Sequence, residues 1–186
     1  MKLLVVVVTA AAAWGTELTG SGVTNLTICM NTGDANQHAF YAARAIAGQM
    51  LAEAGVKIQW RSNEAGCSKS PGDILVRIST STPAKLKPGA LGYAFPFKGN
   101  EIEIFYDRVV VNAKGMDFAP VLLGYVLTHE IVHLLQGLED HSGVGLMKPR
   151  WTQEDHSLMR RRKLQLAAAD IDRIQRGLTK IAAVKK

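Results

Sequence analysis

Apolar residues fall at Val23, Leu26 and Ile28 among polar ones, a spacing that predicts a strand over 23–30. Turn residues follow in "NTGDANQ", where Asp34 can cap a helix. From Ala35 to Ala54 the period changes. Phe40, Ala43, Ala47, Met50 and Leu51 recur at helical spacing, and Gly55 stands at the closing position. Val56 to Trp60 alternates again, and Asp73 to Ser79 puts Ile74, Val76 and Ile78 on one face, which predicts two further strands. Thr80 to Leu91, with two prolines and a glycine, reads as a surface loop. "GYAFPF" and "EIEIFYDRVVV" can pair as a hairpin around Lys98-Gly99-Asn100, with Pro96 holding the first to an edge. A long apolar helix runs from Phe118 to Leu135 and stops at Gly137. Thr152 and Asp155 form a capping-box pattern that opens a basic helix to about Arg162. A last helix spans about Ala168 to Leu178, with Ile171, Ile174 and Leu178 on one face. This order predicts a mixed α/β (α+β) fold: a single small mixed sheet packed on two long helices, with a helical C-terminal part.

The 186 residues suit one domain, and 47 % hydrophobic with 20 % charged residues is enough to bury a core. The net charge of +6 comes largely from Arg160 to Lys163 and from Lys185 to Lys186. Without interleaved aromatics or a known module it reads as a solvated face, and no nucleic-acid partner is expected. The N-terminus, "MKLLVVVVTAAAAWG", has one basic residue, an apolar run too short to span a bilayer, and a small-residue cleavage site. Residues 1–13 are therefore expected to be a signal peptide cleaved near 13–15, and residues 23–186 a single secreted or periplasmic domain. No membrane span is expected. Cys29 and Cys67 form either one disulfide or two separate thiols.

The chemistry lies in "HEIVHLLQGLEDH", His129 to His141. Histidines four apart share a helix face, so His129 and His133 can reach one ion. Glu130 is placed as the general base of the H-E-x-x-H pattern. The surrounding helix is apolar nearly all round and so buried. A carboxyl and two imidazoles buried together are costly unless a cation neutralises them. A catalytic zinc site takes three protein ligands, so one more is needed beyond Gly137. Glu139, Asp140 and His141 are the nearby candidates, and Glu154 on the next helix is a more distant one. Imidazole is the commoner partner of a two-histidine pair, which favours His141.

His129-Glu130-x-x-His133, a helix-ending Gly137, then His141, then Met147 in "GVGLM" resembles the metzincin clan of zinc peptidases. "GLEDHSGVGLMKP" is similar to matrixin and snapalysin segments, and "AEAGVKIQW" to small secreted bacterial members. The likeness is specific over Thr128 to Trp151, where Met147 matches the clan's Met turn beneath the metal. Against the clan's H-E-x-x-H-x-x-G-x-x-H, Gly137 comes one residue late and His141 two. Forced spacing would put Gln136 and Glu139 in their places; a small insertion on each side of a shifted turn keeps Gly137 and His141.

The resemblance implies a zinc endopeptidase that cleaves polypeptides with metal-activated water and Glu130 as base; the chain is expected to be a monomer. It also implies that substrate adds as a strand along a sheet edge, within Gly92 to Phe97 (Gly92, Tyr93 and Ala94 foremost) or within Glu101 to Phe105. Two rival readings follow from the same residues. One is a secreted zinc-binding or interaction module without proteolysis. The other is a gluzincin-type peptidase with Glu154 as third ligand.

Overall fold

Five strands form one sheet in the order β2-β1-β3-β5-β4. They are β1 (Thr24–Asn31), β2 (Val56–Arg61), β3 (Ile74–Ser79), β4 (Gly92–Ala94) and β5 (Glu101–Phe105). The computed structural model describes residues 23–32, 37–62, 73–96 and 99–184. The expected signal peptide, the Asp34 cap and Cys67 lie outside them. Cys29, buried in β1, is disulfide-bonded.

Strands β2, β1, β3 and β5 are parallel, while β4 pairs antiparallel with β5 and ends the sheet. The registers align Trp60, Ile28, Ile74 in one row and Met30, Val76, Ile102, Ala94 in the next. Alternation then puts all these side chains on one face, which is the core. Two long helices cover it: α1 (Gln37–Glu53) and α3 (Ala119–Gln136). They cross where Gly124 leaves room, since a β-carbon there would stand 2.7 Å from the Ile46 Cβ. The mixed α/β sheet on two long helices is as the periodicity predicts.

One predicted element is corrected. "EIEIFYDRVVV" is not strand throughout: β5 ends at Phe105, and Tyr106–Ala113 is helix α2. Tyr106, Val109 and Ala113 are its buried positions, a helical spacing hidden by the β-branched run. Arg108 on α2 donates to the carbonyls of Pro83, Leu86, Lys87 and Ala90, and so fixes the loop that leads into β4. The C-terminal part holds α4 (Gln153–Arg160), within two residues of its expected place, and α5 (Ala168–Val184), which starts where expected and runs six residues beyond Leu178. Thr152 caps α4 in a capping box with Asp155. Among the described residues, no helix is long and apolar enough to cross a membrane.

Candidate metal centre

Helix α3 starts with Pro120 in its first turn and ends at Gly137, whose left-handed backbone (φ 64°) turns the chain out of the helix. Between them every residue from Leu122 to Gln136 is buried. His129 and His133 project from one face with their Nε2 atoms 3.0 Å apart. The chain then returns, and His141 comes to 4.8 Å from His133 and 5.2 Å from His129, ring centre to ring centre. Each of the three histidines offers a nitrogen, and these nitrogens all lie within 4.8 Å of one another. The two-residue delay therefore does not keep His141 away. His141 is the exposed member, facing the solvent side of the cleft.

The hydrogen bonds around this cluster decide which nitrogens are free. His129 Nδ1 lies 3.1 Å from the Leu146 carbonyl, and His133 Nδ1 lies 2.9 Å from the Leu138 carbonyl. A carbonyl only accepts, so both Nδ1 atoms carry the hydrogen and donate. Both Nε2 atoms then present lone pairs to each other across 3.0 Å. Two facing acceptors repel each other unless a cation stands between them. A proton fills that role poorly here: burial pushes His129 down to about 3 and lowers His133 as well, and His133 and His141 lower His129 further, as His141 does His133. Three imidazoles converging from a helix and its following loop are the donor set of a catalytic zinc ion, so the residues fit the metal.

Glu130 is 7 % exposed, and burial pushes its carboxyl up to about 8. The Ala94 N–H of β4 bonds to that carboxyl and works the other way. Gly92 lies directly over it: a β-carbon at Gly92 would stand 3.0 Å from Glu130 Cγ and 3.1 Å from Oε1. Sequence reasoning singled out Gly92 for substrate; what the structure shows at Gly92 is room for Glu130. Tyr93 donates through its hydroxyl to Glu139 (3.1 Å), which ties the edge strand to the turn after α3. Between the two predicted substrate strands, β4 is the edge and β5 is interior.

Met147 is 1 % exposed, in a turn closed by the Ser142 N–H donating to its carbonyl (2.9 Å). Glu139 and Asp140 are exposed beside the cluster, and Glu154 is exposed on the first turn of α4, outside it. Sequence reasoning missed Trp151. Its Nε1–H donates to the same Leu146 carbonyl that holds His129 (2.9 Å), and its ring stands edge-on to that imidazole at 5.5 Å. A lone tryptophan two residues after a proline carries no sequence signal of such a role. The cluster opens into a cleft of about 710 Å³ between β4 and the loop 148–151.

The fold has a solved counterpart. It is similar to the crystal structure of archaemetzincin from Methanopyrus kandleri, with a TM-score of 0.55 and 16 % identity, covering 87 % of this chain and 98 % of that one. At that identity the likeness speaks for the fold and for nothing finer. No family model matches the sequence, and no curated protein does.

Proposed function

We propose that this protein is a zinc-dependent peptidase. The observation that carries the reading is the pair of facing Nε2 lone pairs completed by His141, with a buried carboxyl beside them beneath an edge strand. His129, His133 and His141 hold the ion, and Met147 lies in the turn that follows the last of them. Zinc bound there would supply a Lewis acid and would bring the pKa of its water to ~7. Glu130, ionised when a dication is near, takes the proton of the attacking water and passes it to the leaving amine. Substrate lies along β4, where Gly92, Tyr93 and Ala94 offer the backbone of the sheet's last strand to an antiparallel peptide.

Two features support action outside the cytoplasm: the composition of residues 1–13 and the disulfide at Cys29. The likeness to matrixins and snapalysins rests on the segment from Gly137 to Pro149, and the solved counterpart is an archaemetzincin.

Glu130→Gln tests the reading. The variant should keep stoichiometric zinc and lose casein or gelatin cleavage by about 10²–10⁴-fold, the usual share of a general base. Wild-type protein that holds zinc and cleaves nothing offered would instead be a binding module. Zinc loss in Glu154→Ala but not in His141→Ala would move the third ligand to α4.

A further inference from the structure

The stretch from Gln165 to Asp170, between α4 and the first turn of α5, touches the histidine-bearing parts at three points. The Leu146 N–H donates to the Gln165 carbonyl (2.9 Å), while Leu146's own carbonyl holds His129. Gln136, at the end of α3, donates through Nε2 to the Asp170 carbonyl (3.2 Å). Ser142, the residue after His141, shares its one hydroxyl hydrogen between the Val144 carbonyl (2.8 Å) and Asp170 Oδ2 (3.2 Å). Two glycines allow this close docking. A β-carbon at Gly145 would stand 2.7 Å from the Gln165 carbonyl oxygen, and one at Gly177 would overlap the Leu135 carbonyl.

Asp170 is wholly buried (0 % exposed), an unusual place for a carboxyl. Its ion-pair partner among the described residues is the half-exposed Arg173, at 3.5 Å. Burying a carboxyl is costly, so this one has to serve a purpose that a leucine would not. What it reaches is the loop of the late histidine. His141 sits on an exposed turn outside α3. A ligand on a free loop must be ordered when metal binds, and that ordering weakens affinity. A loop anchored in advance avoids the loss.

We propose that Asp170 is a positioning residue: through Ser142 it holds the loop in which a two-residue delay still lets His141 reach the metal. The proposal rests on the reading of the three histidines as ligands, and not on peptide cleavage.

Ser142→Ala and Asp170→Asn test it. Each should weaken zinc binding by about 10- to 100-fold in competition with a chelator, the usual effect of losing an outer-shell partner. The visible spectrum of the cobalt-substituted protein should shift toward that of His141→Ala, because His141 is the ligand released. Combining either variant with His141→Ala should add nothing. In metal-free protein, hydrogen exchange at the Ser142 and Leu146 amides should speed up in both variants, while amides of α3 stay protected. Wild-type affinity in Ser142→Ala, or a loss that adds fully to that of His141→Ala, overturns the proposal. If Asp170→Asn fails to fold, Ser142→Ala decides. If wild type binds no zinc, the peptidase reading falls, and amide exchange at Ser142 alone decides whether Asp170 orders the loop.

Discussion

Glu130 and Gly92 constrain each other through a gap that only a glycine leaves. Added carbon at Gly92 would also stand 3.1 Å from Ile104 Cδ1, so it has no side to yield toward. Gly92→Ala should therefore move the carboxyl by a fraction of an ångström and leave the histidines alone. Expected is a kcat lower by about 10-fold or more at unchanged zinc content, since small misplacements of a catalytic group are costly. An unchanged kcat would show that Glu130 does not depend on this fit. The same carboxyl governs how metal-free protein responds to pH. Burial pushes Glu130 from 4.5 up to about 8, so between those values the folded chain holds a proton that the unfolded chain has released. That makes stability fall as pH rises through the window. His129 is pushed from 6.5 down to about 3 and His133 is lowered also, so below 6.5 the unfolded chain takes up protons that the folded one refuses. That makes stability fall as pH drops. His141 and His156 are lowered in the same sense, so on the acid side several histidines oppose the one carboxyl. Above the histidine window the carboxyl acts alone, so chelated protein should lose heat stability toward pH 8, and Glu130→Gln should remove that decline. A variant with the same alkaline decline as wild type would place its cause elsewhere.

At the scale of elements, the legible parts were those whose period is clean. The strands β1, β2 and β3 alternate, α1 carries apolar residues at helical spacing, and α3 is an apolar run longer than a strand, so both layers followed from pattern alone. Helix α2 did not, because Val109, Val110 and Val111 favour a strand locally and only packing against the core turns Val109 inward. The H-E-x-x-H pair was legible because a helix face fixes the distance between positions four apart. His141 could be named as a candidate, but its reach depended on a loop fastened by Asp170, 29 residues further on. Trp151 and Asp170 were invisible for the same reason: each acts through a carbonyl or a hydroxyl that no spacing rule reveals. Helix crossing offers its own test. Gly124 meets Ile46 with Cβ, Cδ1 and Cγ2 all within 2.9 Å of where its β-carbon would be. Gly124→Val should force α1 from α3 and cost about 1–3 kcal/mol, as overpacking does. Chemical denaturation measures it, and an unchanged midpoint would mean that the helices have slack at the crossing.

The whole molecule is arranged so that its two parts meet at the histidines. The sheet with α1 and α3 supplies His129, Glu130 and His133. The C-terminal part fastens the loop of His141 through Gln165 and Asp170. A metal bound by all three therefore ties the end of α3 to a loop docked on α5, and its binding energy becomes folding energy. At a free zinc concentration 100-fold above Kd, the gain is about 2.7 kcal/mol. For a domain of this size, about 2–4 °C follows per kcal/mol, so Tm should rise by about 5–10 °C and fall back on chelation. His141→Ala should keep a smaller share of that rise, since His129 and His133 alone bind more weakly. Because the tie crosses between the parts, hydrogen exchange should slow in the first turns of α5 as well as in α3 when zinc is added. Slowing confined to α3 would mean that the ion is held by the helix alone and that the C-terminal part takes no share in the site.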